Sequence, residues 1–203
     1  MEGKGDLPVK TQWSNRRDDV VEWPDDPVAR EALGKYLDVL SAGPEVHPIL
    51  GADLMDFRGA DLRGLDLGGA YLFNTVLAGV NLSGACLARA TLSGADLRQA
   101  NLSGATLTKA EADECRADGA IFRGADLFAV FFNRASLVGC DFRGAAMNSV
   151  RLRRANLTNA DLREAVVFDV RFGDEGSPTI LSGARLFGAD VRKAWGSVVG
   201  PID

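Results

Sequence analysis

The sequence has few of the residues from which catalytic and metal-binding sites are built. Histidine occurs once in 203 residues, as His47, and the three cysteines show no CxxC spacing. A zinc site or a disulfide framework is therefore not expected. A general base or an activated nucleophile would likewise need His, Cys and carboxylates that converge in a cavity. The sequence predicts a protein that is not an enzyme and that holds no cofactor or metal ion.

Long apolar runs are also missing, as is a leader of basic and then apolar residues. The chain starts with the polar segment MEGKGDLPVK. No glycine-rich loop opens a helix, which argues against a nucleotide site. These absences predict a cytoplasmic protein without a membrane partner. Residues 55–174 carry 14 acidic and 14 basic side chains, so direct binding of nucleic acid is not favoured either.

What the sequence does contain is a five-residue repeat that runs from Met55 to Asp174 through 24 units. The segment ATLSGADLRQ, for example, continues directly into ANLSGATLTK. The middle residue of each unit, counted from Phe57 in steps of five, is Leu in 15 units and Phe in five. The residue two positions earlier is Ala in 15 units. Such regularity predicts a solenoid.

A period of five fits neither a helix nor a flat strand. Steps of five advance about 140° around a helix, and odd steps alternate faces in a strand. The pattern closes only if the chain turns regularly, so that the middle residues all point to one axis. The predicted core positions are Phe57, Leu62, Leu67, Leu72, Leu82, Leu97, Leu102, Leu107, Phe122, Leu127, Phe132, Phe142, Leu157, Leu162 and Phe172.

The consensus A-(D/N)-L-x-G, seen in GADLRG, GADLRQANLSG and RRANLTNADLREA, resembles the pentapeptide repeat family. The resemblance implies an all-β solenoid, a right-handed quadrilateral β-helix in which four units form one coil. It also implies about six to seven coils, and six coils would extend about 29 Å at the spacing of neighbouring strands.

The segments around and within the repeat suggest four parts. Residues 1–25 form a polar arm, 26–51 a helical cap, 52–193 the β-helix with a change of phase at 173–178, and 194–203 a tail. In the cap, Asp26 and Pro27 are typical of a helix start, Gly43 lies beyond its end, and Val28, Leu33, Tyr36, Leu37 and Leu40 give one apolar face. Within the repeat, Ala112 and Ala117 replace bulky middle residues, so a local irregularity is expected there.

Residues 20 apart lie above one another in such a fold, so outward columns can be read from the sequence. One column and its neighbour predict a ladder of paired charges. The first column contains Arg63, Ser83, Ser103, Arg123, Arg143 and Arg163, and its neighbour contains Asp61, Asn81, Asn101, Ile121, Asp141 and Asp161.

The candidate interaction surface has a basic and an aromatic part. The basic part is Arg151, Arg153 and Arg154, with Arg134 one coil before and Arg171 one coil after. It could receive an acidic partner or a phosphate backbone, or could be only a solubilising face. The aromatic part is Phe128, Phe131 and Phe168, which point outward and imply a contact with the N-terminal arm, a second subunit or a partner. Packing by the arm is the preferred explanation.

Near the C-terminus, Trp195, Val198 and Val199 are expected to cap the last coil or to form a homodimer contact.

A rod with variable outward side chains favours a module for protein–protein interaction. The resemblance implies a sharper alternative, because some bacterial members of the family bind DNA gyrase, mimic duplex DNA and protect the enzyme from quinolones or natural topoisomerase poisons. The balanced charge of the repeat argues against this mimicry. A purely structural scaffold is the third possibility. An acidic stripe along the rod would favour gyrase, and an apolar patch around Phe128 and Phe168 would favour another protein.

Overall fold

The computed structural model describes residues 16–42 and 48–201. His47, Gly43 and the first part of the predicted arm lie outside the described residues. Two helical segments are present, a short 3-10 helix at Arg17–Asp19 and α1 at Pro27–Ser41. The named strands are β1 (Ala146–Asn148), β2 (Val166–Phe168), β3 (Thr179–Ile180), β4 (Asp190–Arg192) and β5 (Val198–Val199).

Backbone pairing at a fixed spacing makes the chain a solenoid. Parallel bridges join residues 20 apart, from Gly51 with Tyr71 to Arg151 with Arg171. The strands β1, β2 and β4 pair in parallel in that order, and β3 pairs with β5. Since 20 residues contain four five-residue units, four units make one turn of the solenoid. Each unit supplies one short pairing segment to its turn. The backbone groups that a single short strand would leave unpaired are satisfied by the turns on either side.

Each residue of the consensus has a local structural reason. The Asp or Asn before the middle residue accepts a hydrogen bond from the backbone two residues on, as Asn81 does from the Ser83 N–H at 3.1 Å. The residue two after the middle has a positive φ, for example 66° at Gly64 and 60° at Arg154. The chain therefore turns once in every unit.

The axis is filled by the predicted middle residues. All fifteen predicted core positions are buried, and Phe172 is the most exposed of them at 7%. Two polar residues in the small column satisfy their side chains against the preceding turn. The Thr75 hydroxyl donates to the carbonyl of Ala52 at 2.7 Å, and the Cys140 thiol donates to the carbonyl of Ala117 at 2.9 Å. Both buried side chains, the hydroxyl of Thr75 and the thiol of Cys140, therefore have a hydrogen-bond acceptor.

The prediction of a local irregularity at Ala112 and Ala117 is wrong. Both residues are fully buried, and their amide groups keep hydrogen bonds of 2.8 Å to the next turn. The volume comes from aromatic rings instead. Phe122 lies edge-to-face with Phe132 at 5.8 Å and stacks on Phe142 at 5.0 Å. Because Phe122 follows Ala112 by half a turn of the solenoid, a large side chain on one side of the axis compensates for a small one on the other.

Helix α1 packs against the first turn of the solenoid. The Asp26 carboxylate accepts hydrogen bonds from the amides of Val28 and Ala29 at 3.4 and 3.0 Å, as expected of a helix cap. The buried face contains Ala29, whereas Val28, predicted to lie on it, is 59% exposed. The Tyr36 hydroxyl donates to the carbonyl of Asp66 at 2.7 Å and joins the helix to the solenoid.

The described part of the N-terminal arm also lies at this end. Glu22 forms an antiparallel bridge with Asp61, and the Asp25 amide donates to the carbonyl of Arg58 at 3.1 Å. Trp23 packs against the core, with the guanidinium of Arg17 5.8 Å from its ring. Within residues 16–42 and 48–201, no helix is long and apolar enough to cross a membrane.

The register changes near the C-terminal end. Bridge partners are 24 residues apart across residues 173–178, as in Asn156 with Ile180 and Arg171 with Trp195, which matches a loop of four added residues. Pairing then continues beyond residue 193, because the Leu181 amide donates to the carbonyl of Val199 at 2.9 Å. The predicted boundary at residue 193 is therefore not a break in backbone pairing.

Candidate interaction groove

One groove near the C-terminal end contains all five arginines of the predicted basic cluster. Its volume is about 470 Å³. The arginines come from three successive turns of the solenoid, and the groove is called the arginine groove below. Its lining residues are Asp113, Glu114, Asn133, Arg134, Arg151, Arg153, Arg154, Arg171, Phe172, Gly173, Asp174 and Trp195.

The wall of the arginine groove is a column in which two arginines lie between two aromatic residues. Bridges connect Phe131 with Arg151, Arg151 with Arg171, and Arg171 with Trp195. The Arg151 guanidinium lies 4.6 Å from the Phe131 ring, and that of Arg171 lies 4.6 Å from the Trp195 ring. Cation–π contacts of this kind help to hold both guanidinium groups in place. Trp195, predicted to cap the solenoid or form a dimer contact, thus lies in the same column as the basic cluster.

The four-residue insertion forms a second wall. Asp174 pairs with Arg153 at 3.1 Å, and the Arg154 Nε donates to the Ser177 hydroxyl at 2.7 Å. In solenoid proteins, insertions map to loops on one face, and that face is often the binding face. The interruption of the repeat and the concentration of charge therefore coincide in space.

The arginine groove has a formal excess of two positive charges, since five arginines face three carboxylates. Arg134 pairs with Glu114 at 2.8 Å, and Arg153 pairs with Asp174. Within the described residues, Arg151, Arg154 and Arg171 form no ion pair with a carboxylate. Three guanidinium groups thus contact rings or a hydroxyl, and the third carboxylate of the groove, that of Asp113, forms no ion pair with any of them.

The backbone beneath two of the arginines is strained. Arg134 and Arg154 have φ values of 59° and 60°, in the left-handed region that disfavours residues with a Cβ atom. The corresponding position of the opposite face is glycine, at Gly124 and Gly144. Non-glycine residues occupy this turn position elsewhere in the solenoid as well, for example Lys109, Ser149 and Glu164. The strain is therefore a feature of the repeated turn and is not confined to the groove.

The predicted ladder of paired charges is present on another face. The Asp141 carboxylate pairs with Arg143 at 2.6 Å and with Arg123 at 2.8 Å, and Arg143 also lies 3.7 Å from Asp161. The hydrogen bond from the Arg143 side chain holds the pKa of Asp141 well below the usual carboxyl range, although partial burial opposes this shift. Asp161 and Arg163 pair in the same way. These residues, with Asp61 and Arg63, form the ladder face.

The outward phenylalanines do not form one apolar patch. Phe131 lies under Arg151, whereas Phe128 is 41% exposed on the adjoining face. Phe168 is half-buried, with Arg192 and Lys193 5.9 and 5.2 Å from its ring. The preferred explanation is that the N-terminal arm packs on these rings. Residues 16–25 of the arm do not, because they lie at the first turn of the solenoid.

A metal centre or a reactive thiol would be a further kind of site. The described residues contain no group of three or more His, Cys, Asp and Glu side chains that could hold a metal ion. All three cysteines are buried and none forms a disulfide. Burial raises the pKa of the Cys115 thiol to about 12, which keeps it protonated and unreactive at neutral pH.

The chain is similar to several solved structures. No curated protein sequence matches the chain. Among solved structures, full-length QnrB1, a plasmid-mediated fluoroquinolone resistance protein, is 18% identical, with a TM-score of 0.41, over 70% of this chain and 79% of QnrB1. HetL, a pentapeptide repeat protein involved in regulation of heterocyst differentiation in the cyanobacterium Nostoc sp., is 26% identical, with a TM-score of 0.32, over 82% of this chain and 92% of HetL.

The sequence profile of the pentapeptide repeats matches in eight copies, over residues 56–94, 85–127, 125–164 and 135–172. Together these matches span more than half of the chain, and their limits coincide with the regular 20-residue bridges of the solenoid. The protein therefore belongs to the pentapeptide repeat family.

Proposed function

We propose that this protein is a non-enzymatic interaction module of the cytoplasm that binds a protein partner through the arginine groove. The supporting observation is the set of three guanidinium groups, on Arg151, Arg154 and Arg171, that are positioned without a carboxylate partner in the described chain. Arginine and tryptophan are the residues most often found at the energetic centres of protein interfaces. A right-handed quadrilateral β-helix of about six to seven coils, capped by α1, would present the groove on a rigid support.

The test is a pull-down from the cells that encode the protein, with the full chain immobilised. The variant Arg151→Gln/Arg171→Gln removes two charges of the groove and keeps most of each side-chain stem. The matched control, Arg143→Gln/Arg163→Gln, removes two arginines of the ladder face. A partner retained by the wild type and the control, but not by the groove variant, would support the proposal. Equal retention by all three proteins would refute it.

A role directed at gyrase is the runner-up, and it rests on family membership alone. In the described part of the chain, no outward column consists of acidic side chains, and the aspartates of the ladder face are paired with arginines. Mimicry of DNA requires an extended negative surface. The direct assay is gyrase supercoiling with the folded protein added, with and without a fluoroquinolone. Inhibition or rescue at micromolar concentration would make gyrase the partner, and no effect in either arm would exclude it.

A homodimer through the C-terminal end is a second proposal that the exposed apolar residues favour. Val198 and Val199 of β5 are 39% and 45% exposed, and Phe187 is 85% exposed. Strand β5 pairs with β3 on one side. The double variant Val198→Lys/Val199→Lys should convert a dimer into a folded monomer in sedimentation velocity. A wild type that sediments as a monomer at all concentrations would overturn this proposal.

A further inference from the structure

We infer that the arginine groove is a binding site for a phosphate monoester group in its dianionic form. The groove combines a positive excess, fixed guanidinium groups and a concave shape. This inference goes beyond the proposed protein interaction, because phosphate binding can be measured in the absence of any protein partner.

The first argument is the repulsion between Arg151 and Arg171. The two residues are direct bridge partners on neighbouring strands, and like charges placed opposite each other in a sheet destabilise it. Elsewhere the chain neutralises such neighbours with aspartate, as Asp141 does for Arg123 and Arg143. Here the positions beyond the pair are Phe131 and Trp195, which stack on the guanidinium groups without removing their charge. An anion bound beside the pair would supply the missing negative charge.

The second argument is the geometry of the donors. The guanidinium groups of Arg151 and Arg171 lie over aromatic rings, at 4.6 Å from the ring centroids, and neither donates a side-chain hydrogen bond within the described residues. Their N–H groups are available to a ligand, and the guanidinium fork matches the oxygens of phosphate. Arg154 uses its Nε toward Ser177, which leaves its terminal N–H groups for a ligand. Three donors are thus fixed before any ligand arrives, which lowers the entropic cost of binding.

The third argument concerns the class of anion. The groove has an excess of two positive charges, which a dianionic phosphate monoester balances and a single carboxylate does not. A nucleic-acid backbone carries one charge on each phosphate along its length, whereas the excess here is confined to three turns of the solenoid. The volume of about 470 Å³ lies within the range of small-molecule sites. These features favour one compact, doubly charged group.

The experiment is a calorimetric titration of the full chain at low ionic strength and pH 7.5. The probes are a neutral capped peptide with one phosphoserine, the same peptide with Glu in that place, and inorganic phosphate. We expect the phosphoserine peptide to bind at least about tenfold more tightly than the Glu peptide, because a dianion makes more charge-assisted hydrogen bonds. Binding of inorganic phosphate as tight as that of the phosphopeptide would identify a site for free phosphate compounds. Tighter binding of the phosphopeptide would identify a phosphorylated protein as the source.

The pH dependence separates a phosphate dianion from a carboxylate. The second pKa of a phosphate monoester is about 6, whereas arginine stays charged throughout the accessible range. Affinity for the phosphoserine peptide should therefore fall about tenfold between pH 7.5 and pH 5, while affinity for the Glu peptide should change little. An affinity for phosphoserine that is the same at both values would overturn the assignment to a dianion.

Variants then locate the site. Arg151→Gln and Arg171→Gln should each weaken binding of the phosphoserine peptide about tenfold or more. The matched control Arg163→Gln, on the ladder face, should bind like the wild type. Thermal melts of each variant establish that it is folded. The inference is wrong if the control loses as much affinity as the groove variants, if the Glu peptide binds as tightly as the phosphopeptide, or if the wild type shows no heat of binding at millimolar phosphate.

Discussion

The ladder face and the arginine groove have the same backbone, but the charges of the ladder face are paired with one another, whereas those of the groove are paired only in part. On the ladder face, Asp141 lies within hydrogen-bond distance of two arginines, at 2.6 and 2.8 Å. In the groove, Arg151 and Arg171 occupy successive turns at the same spacing, with rings beyond them instead of carboxylates. The solenoid thus sets where outward side chains stand. The choice of residue at each site decides whether a charge is neutralised internally or is available to a ligand.

The largest expected effect comes from a change in the buried axis of the solenoid, which supports both surfaces. Leu102→Asp places a carboxylate among fully buried side chains with no partner. The penalty is comparable with the ordinary stability of a domain, about 5–15 kcal/mol, so both surfaces should be lost together. Circular dichroism and thermal melting measure this outcome. The control Asn101→Asp changes the outward neighbour and keeps an oxygen acceptor for the Ser103 amide, so it should fold normally. Native melting of Leu102→Asp would contradict the inward assignment.

The next effect is specific to the ladder face. Asp141→Asn keeps the acceptor for the Arg143 amide but removes the charge shared by Arg123 and Arg143. The free energy of unfolding at pH 7 should fall by about 1 kcal/mol, a modest value because both arginines are more than one third exposed. Urea unfolding measures this difference.

The same variant has a predicted pH dependence. The pKa of Asp141 is depressed in the folded state, so the carboxylate stabilises the fold fully above about pH 5. Its contribution is lost as the pH falls below about 4, because the unfolded chain then takes up the proton first. The wild type and Asp141→Asn should therefore converge in stability toward pH 2. A difference that stays constant from pH 7 to pH 2 would mean that the ion pairs do not cause it.

The axis was predictable from the sequence because one rule, the period of five, applies to every unit. The burial of Leu102 and Phe57 could be predicted from their position in the five-residue unit alone. Ala112 was misread because the rule treats each position alone, whereas packing depends on Phe122 half a turn away. Val28 was placed on the buried face of α1 for a similar reason, since the helical period alone does not show which residues the first turn covers.

The groove was predictable only in part. The five arginines follow the 20-residue spacing, so their proximity could be read from the sequence. The place of Trp195 beside them could not be read in this way, because the insertion changes the spacing to 24 residues. Twenty residues after Arg171 the sequence has Val191, and only a count through the insertion reaches Trp195. The contacts of Arg153 with Asp174 and of Arg154 with Ser177 depend on the shape of that loop, which the repeat does not encode.

A smaller effect compares the two surfaces directly. Arg143→Gln should lower the free energy of unfolding by about 0.5–1 kcal/mol, since it breaks pairs with Asp141 and Asp161. Arg171→Gln should change it less at low salt, because the loss of repulsion from Arg151 offsets the loss of the contact with Trp195. Added salt should reduce both differences by screening. Urea unfolding at low and at high salt is the measurement, and equal losses for the two variants would show that Arg171 is neutralised within the chain.

The smallest effect concerns the turns. On the ladder face the left-handed position is glycine, as at Gly144, whereas the groove has Arg134 there with φ of 59°. Arg134→Gly and Arg134→Ala both remove the exposed ion pair with Glu114, so their difference isolates the backbone. Only alanine keeps the Cβ atom that the left-handed region disfavours, and the glycine variant should be more stable than the alanine variant by about 0.5–1 kcal/mol. Against the wild type, Arg134→Gly should gain a few tenths of a kcal/mol, because an exposed pair contributes little. Chemical denaturation resolves the first difference. If alanine equals glycine, the turn at position 134 stores no strain, and the choice between glycine and another residue at this position of the repeat does not depend on backbone conformation.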